Sequence, residues 1–468
     1  MAIYLVSAIA ALMGLLFGFD TGIISGALLF IEKGFPLTTI MKELIVSSVL
    51  LGAMLGSVSS GNLTDRYGRR LVILIISGLF IIGTLIASLA TSVQFILIGR
   101  LCIGFAIGIG SYTAPLYIAE VSPYKLRGAL VSLNQLAITI GIMCSYFINY
   151  LFTNTNGSWR FMFAIGLIPA VLLCIGMIFL PESPRWLVKQ KRSLEAKKTL
   201  RYLRRSNENQ IDQEINDIEK SLTFKEASLF EVFSPWIRPV LFLGIMMGFL
   251  QQVTGINTII YYAPTIFQLA GFHDASSSIL ATAGIGIVNV LATIFAVCYL
   301  DKIGRRMLLL VGLVGMCISL IVLSFAFKWQ STYLSIIAML STFTYVICFA
   351  FSLGTMLWLL VSEIFPLEVR GAAMSIAIFS GWFWNFIVSS TFLSLLNAFG
   401  PSNTFLLYAV MCVFGFIYCY YKAPETKGIT LEQIEENIRS GLPIREIGIP
   451  AYANTMASSS SKQQYVNE

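Results

Sequence analysis

Twelve long apolar runs succeed one another along the chain, each bounded by polar residues or by glycine and proline. They cover 3–30, 44–62, 71–91, 95–118, 128–151, 159–180, 238–268, 276–300, 307–327, 332–362, 371–396 and 402–421. A helix of about 20 apolar residues crosses the hydrocarbon core of a bilayer, and each run reaches or nears that length. The runs fall six and six around a polar stretch from Arg185 to Pro235, which reads as short amphipathic helices, Ser193–Arg205 among them. The pattern predicts an all-α membrane protein with twelve transmembrane helices. Two six-helix bundles, 1–184 and 237–425, flank an intracellular helical linker, 185–236, and a cytoplasmic tail follows from 426 to 468.

Composition agrees with this reading. Of 468 residues, 57% are hydrophobic and only 12% are charged, and the mean hydropathy is +0.80. That leaves too little polar surface for an ordinary water-soluble domain. The first apolar run has no basic segment before it and no convincing cleavage site, so it reads as a retained span rather than a signal peptide. With the N-terminus placed in the cytoplasm, the loops on the other side hold only Lys33, Lys42, Arg160 and Lys328, and Arg100 lies within a span. All other lysines and arginines then fall on the cytoplasmic side, which places both termini there. The same asymmetry accounts for the net charge of +7 without a nucleic-acid partner. The eight cysteines lie in apolar runs and form no CxxC, and His273 stands alone, so no metal site is expected. Asn156-Gly157-Ser158 is a sequon by sequence only.

The halves repeat. Asp65-Arg66-Tyr67-Gly68-Arg69-Arg70 returns as Asp301-Lys302-Ile303-Gly304-Arg305-Arg306. Glu120 and Arg127 share their spacing with Glu363 and Arg370, and Pro181-Glu182-Ser183, with Arg185 close behind, returns as Pro424-Glu425-Thr426. A duplicated six-span unit in one orientation is a transporter architecture, with its substrate site between the halves near mid-membrane. The glycines permit very short turns, and the basic side chains are positioned to meet Glu120 or Glu363 at neighbouring helix ends. These charges are expected to latch the halves together when the cytoplasmic side is closed, with Arg66→Ala or Glu120→Ala slowing transport. Gly104 and Gly108, four apart in the fourth span, signal close helix packing.

GFDTGIISG (18–26), the two GRR clusters, PESPRWL (181–187), QQVTGIN (251–257) and PETKG (424–428) together resemble the sugar porters of the major facilitator superfamily. The likeness covers essentially residues 1–430. It implies a twelve-helix alternating-access carrier for a monosaccharide, working as a monomer in a lipid bilayer without a cofactor. A bacterial inner membrane is the favoured location.

Asp20 and Arg100 are the clearly intramembrane charges of the N-terminal half. An ionisable group at mid-membrane costs at least about 2.5–3.5 kcal/mol, so each is expected to partner the other. Burial favours the protonated form of an aspartate and a nearby arginine favours the charged form. Moving Arg100 would therefore switch the proton affinity at Asp20. Proton-linked sugar porters resemble this chain at both positions, whereas facilitative glucose carriers typically hold a neutral residue where Asp20 stands. One charge moving through 100 mV is worth about 2.3 kcal/mol, enough for roughly 50-fold accumulation.

A sugar site needs amides, which donate and accept together without burying a charge, and an aromatic face. Gln251, Gln252 and Asn257 surround Gly255 in the seventh span, and Tyr261 lies one turn on from Asn257. The resemblance places Gln135, Gln251, Gln252, Asn257, Asn289, Trp358 and Asn385 at sugar-contacting positions, with Trp382 in the aromatic lining and Phe17 one turn before Asp20. Three departures bear on the sugar. Gly381 stands where relatives often carry an amide, which removes one possible hydrogen bond. Thr355 replaces a usual proline, so a gentler bend of the tenth helix is expected. Ile142 replaces a second glutamine of xylose-type symporters, which favours a hexose over a pentose. Together these residues point to proton-coupled monosaccharide symport, with a facilitative uniporter or a non-transporting sugar sensor as alternatives. No nucleophile–base pair or phosphate loop supports an enzyme.

Overall fold

The computed structural model describes residues 2–123, 126–204, 208–222, 229–330, 332–366 and 368–449. The N-terminal half consists of α1 (Ala2–Gly34), α2 (Thr39–Tyr67), α3 (Arg69–Ser88), α4 (Val93–Val121), α5 (Arg127–Leu151) and a sixth span built from α6 (Ser158–Ile165) and α7 (Leu167–Phe179). Three short helices follow, α8 (Pro184–Lys189), α9 (Ser193–Arg204) and α10 (Glu208–Leu222). The C-terminal half comprises α11 (Arg238–Val253), α12 (Ile256–Leu269), α13 (Ala275–Ile303), α14 (Arg305–Trp329), α15 (Leu334–Phe351), α16 (Leu353–Ile364) and α17 (Arg370–Lys422), and α18 (Leu431–Arg439) closes the described chain. Eleven of the helical stretches are long and apolar enough to cross a membrane. The longest, α17, runs 53 residues but leaves helical geometry at Gly400 (φ 76°), just before Pro401. It therefore makes two spans, and the total is the expected twelve.

Three spans are interrupted, and two of the breaks lie where the halves face each other. Gly255 adopts φ +96°, a conformation that costs glycine little, and parts α11 from α12. Ser352 (φ −111°, ψ −105°) parts α15 from α16. The tenth span therefore breaks at Ser352 although Thr355 stands in place of the usual proline. Without a proline, the Ser352 backbone makes the break, and Thr355 Oγ1 donates back across it to the Ala350 carbonyl.

Small residues set the helix separations. Gly14, Gly18, Gly22 and Gly26 form one stripe on α1 against α5, so close that a Cβ on Gly18 would lie 1.8 Å from the Ile138 carbonyl oxygen. On α4, Gly104 and Gly108 approach the Val49 and Ala53 carbonyls of α2 in the same way. In lipid, helices gain little hydrophobic energy from meeting, so this intimacy of backbones is the main source of attraction. The halves meet through α1 with α12, α2 with α17 and α5 with α13, and a cavity lies between them.

The expected tail is partly folded. Residues 426–449 continue into α18 and a 3-10 turn, and the Asn437 amide holds this segment by donating to the Ile447 and Ile449 carbonyls at 2.8 and 3.0 Å. Arg439 ties it to the C-terminal half, pairing with Glu368 at 2.8 Å and lying over the Trp236 ring. Residues 450–468 lie outside the described residues. The amphipathic linker forms a small core of its own around Trp186, Leu200 and Ile211. Arg204 anchors it to the N-terminal half by donating to the Val121 carbonyl at 2.6 Å.

Candidate functional site

Gly68 (φ 90°) and Gly304 (φ 102°) turn the chain between α2 and α3 and between α13 and α14. Glu182 caps the first turn, accepting from the backbone N–H groups of Arg69 and Arg70 at 3.0 and 3.1 Å. Glu425 does the same for Arg305 and Arg306 at 2.9 and 3.1 Å. A Cβ on either glycine would strike the capping carboxylate, at 2.4 and 2.7 Å respectively. The guanidinium of Arg69 then reaches Glu120 at 2.9 Å, and that of Arg305 reaches Glu363 at 3.0 Å. Ser183 and Thr426 donate their hydroxyls to the same two glutamates. Arg70 and Arg306 finish each brace on helix-end carbonyls, those of Met177 and Tyr420 among them. Burial pushes the Glu182 carboxyl up from its ordinary value, and its N–H donors, from Ser183, Arg70 and Arg69, and the Arg69 charge oppose this.

These networks differ from the expected latch in two respects. Each closes within its own half, because its carboxylates and arginines all come from one six-helix unit. Arg66 takes no part in the first of them. It is exposed and lies over the Tyr67 ring, while Asp65 pairs with Arg69 and with Lys189 at 3.2 and 3.1 Å. Arg127 donates to the Ala119 carbonyl at 3.1 Å and Arg370 to the Phe365 carbonyl at 3.1 Å, again within their halves. Arg185 is exposed, and the side chain of Asp301 lies outside the described residues. Hydrogen bonds between the halves occur elsewhere, from the Tyr146 hydroxyl to the Ile260 carbonyl at 3.0 Å and, at the opposite ends of the helices, from Ser394 to Glu43.

Asp20 on α1 and Arg100 on α4 meet at 3.3 Å, both almost wholly buried. Arg100 also donates to the Val46 carbonyl of α2 at 3.3 Å, and its Nε has no hydrogen-bond partner. The pair thus joins three helices of one half at mid-membrane.

Beside it lies a cavity with about 950 Å3 of empty space, open solvent included. All ten residues singled out for a sugar site line it. Phe17 and Gln135 come from the N-terminal half, and Gln251, Gln252, Asn257, Tyr261, Asn289, Trp358, Trp382 and Asn385 from the other. The break at Gly255 turns three amides into one chain. Asn257 donates to Gln252 at 2.6 Å, Gln252 to Gln251 at 3.0 Å, and Gln251 to the Leu353 carbonyl at 3.0 Å. Asn385 accepts from Ser389 at 3.0 Å. Among the described residues, the amides of Gln135 and Asn289 make no protein hydrogen bond, so their full donor and acceptor capacity faces the cavity. The Phe17 and Trp382 rings, one from each half, lie 5.5 Å apart.

The lining also contains Thr21, Thr139 and Thr293. Single threonines inside apolar runs carry no periodic signal that separates pocket from packing, and only the adjacency of Thr21 to Asp20 could have marked it. Thr21 and Asn385 both interact with the Tyr261 hydroxyl, so one tyrosine touches the cavity and the neighbourhood of the Asp20–Arg100 pair. Tyr262 turns away from the cavity, and its hydroxyl donates to the Ser389 carbonyl at 3.0 Å.

Residues 6–438 match the family model described as sugar (and other) transporter. The galactose-proton symporter of Escherichia coli is 40% identical over 451 residues, 95% of this chain and 96% of that protein. The D-xylose transporter of Levilactobacillus brevis is 40% identical over 432 residues, 92% of this chain and 94% of that one. Among solved structures, the xylose transporter XylE of Escherichia coli in a partially occluded inward-open conformation superposes with a TM-score of 0.81 at 32% identity, covering 92% of this chain and 99% of that one.

Proposed function

This chain belongs to the sugar transporter family of the major facilitator superfamily, and we propose that it carries a monosaccharide into the cell together with a proton. It is a multi-pass membrane transporter and not an enzyme. The observation that carries the coupled reading is the buried Asp20–Arg100 pair beside an amide-lined cavity. A buried ion pair is weak evidence for stability, since apolar residues would often serve as well. A carboxylate that can be neutralised by a proton has a further use. Protonation of Asp20 releases Arg100 and alters the field at Tyr261, which lines the sugar cavity. Sugar occupancy and proton occupancy then bias the same arrangement of helices, which is what coupling requires.

Gln135 and Asn289 bind sugar hydroxyls, the Asn257–Gln252–Gln251 chain presents further polar edges, and Phe17, Trp358 and Trp382 cover the C–H face. We read the substrate as a hexose. The cavity wall at Ile142 is apolar, and Gly381 leaves open space at the position a side chain would fill. The relatives are named for galactose and for xylose, so hexoses and pentoses both belong in the test. The two braces and both termini lie on the cytoplasmic side, in keeping with the distribution of basic residues. No cofactor is needed beyond the proton gradient.

The test is uptake by purified protein in liposomes, using a panel of labelled hexoses and pentoses with and without an imposed pH gradient, inside alkaline. One hexose accumulating above equilibrium only under the gradient is the expected result. Equilibration without accumulation would identify a uniporter, and uptake of pentoses alone would overturn the hexose assignment.

A further inference from the structure

At the end of the helices opposite the braces, a second buried carboxylate bridges the halves. Glu43 lies in the first turns of α2 and is 3% exposed. Its Oε1 accepts the backbone N–H of Ser394 on α17 at 2.7 Å, and its Oε2 accepts the Ser394 hydroxyl at 2.8 Å. Beside it, the Asn397 amide of α17 donates to Thr39 Oγ1 on α2 at 3.1 Å. Among the described residues Glu43 has no cationic partner, and the adjacent Lys42 pairs instead with Glu32. The Val46 carbonyl that accepts from Arg100 lies one turn further along the same helix.

We propose that Glu43 and Ser394 form the latch that holds the outer side shut, and that opening outward begins with their separation. The proposal rests on the alternating-access reading above. An apolar seal would be strongly disfavoured once the halves part, because its surface would meet water. A carboxylate behaves in the opposite way. Shut, it is desolvated and compensated by only two hydrogen bonds, and open, it is hydrated. The closed and open states are thereby brought near each other in free energy, as a carrier that must visit both requires. The link from Val46 to Arg100 ties the same helix to the Asp20 pair.

Two substitutions are expected to act in opposite directions. Ser394→Ala removes one donor and leaves the carboxylate buried with a single partner, so the outward-open population rises. Glu43→Met replaces the carboxylate by an apolar chain of similar size that prefers burial, so the closed population rises. The measurement is the distance between spin labels at Ile40→Cys and Phe399→Cys, two exposed positions on α2 and near the end of the first span of α17, in the full chain with native cysteines replaced, in liposomes. The expected result is a long-distance population increased roughly tenfold by Ser394→Ala, equivalent to about 1.4 kcal/mol, and diminished by Glu43→Met. Unchanged distances in both variants, or a shift of the same sign in both, overturn the latch. If one variant fails to insert, the sign of the other decides. Sugar uptake is measured in parallel. Distances that respond in a protein that moves no sugar would refute the transport reading alone, whereas uptake with unresponsive distances would refute the latch alone.

Discussion

Asp20 and Arg100 form a buried pair that is costly to the fold, and in the proposed function it is also the coupling site. Removing one member of a buried pair strands the other charge, at about 3–5 kcal/mol. Arg100→Ala should therefore reduce the amount of folded protein, which detergent-solubilised yield and thermal unfolding would register. Asp20→Asn also leaves Arg100 without its counter-charge, but it keeps the size and an acceptor oxygen of the protonated acid, so the protein should fold with a lowered thermal midpoint and exchange sugar across the membrane but no longer accumulate it. In the cavity, Gln135→Ala deletes an amide that has no other hydrogen-bonding role. It should raise the half-saturating sugar concentration roughly tenfold, about 1.4 kcal/mol, with little change in the thermal midpoint. Gln251→Ala differs because its amide also holds the Leu353 carbonyl, so both the midpoint and the half-saturation should change. A midpoint unaffected by Gln251→Ala would show that the amide chain is not structural. Amides and tryptophans inside apolar runs are rare and costly, which marked candidates, but it was the resemblance to sugar porters that selected which of them belong to the cavity. The threonines were not marked, since a hydroxyl inside a span often does no more than bond the preceding turn.

At the scale of elements, the paired turns show what a repeat conveys and what it does not. The spacing of Arg69, Glu120 and Glu182, and of Arg305, Glu363 and Glu425, was plain in the sequence, and so was the need for glycine between them. Which arginine turns inward was not, because successive helical positions point about 100° apart and only the folded turn selects Arg69 over Arg66. Nor could spacing reveal that the carboxylates close within a half, since a linear repeat does not show which helix ends become neighbours. The geometry therefore shifts the mutational expectation from Arg66 to Arg69. Arg69→Ala should slow transport severalfold and lower the thermal midpoint, while Arg66→Ala should leave both close to wild type, as paired rate and unfolding measurements would show. Gly68→Ala combines a left-handed φ with a collision against Glu182, and should destabilise more than Arg66→Ala in the same unfolding assay.

The whole molecule is two similar bundles that meet through α1 and α12, α2 and α17, and α5 and α13, with a cavity between them. Twelve spans, their division and the place of the cavity were readable from hydropathy and repetition, because a bilayer leaves a helix few alternatives. The folded segment at 431–449 was not, since α18 is short and polar and is held by Asn437 and Arg439 rather than by an apolar run. In this arrangement the cavity lies beside the Asp20–Arg100 pair, and the inter-half contacts through α2 and α17 lie beyond it. In the proposed function, sugar, proton and outer closure act on one set of helices, and the account's central claim is that sugar movement and proton movement are obligatorily linked. The most direct measurement loads liposomes with a pH-sensitive dye, imposes no ion gradient, and adds the transported sugar outside. The account predicts that sugar alone acidifies the lumen in wild type and that Asp20→Asn abolishes this, while liposomes of the variant preloaded with sugar still exchange it for labelled sugar outside. Sugar entry without any proton movement in wild type would contradict it.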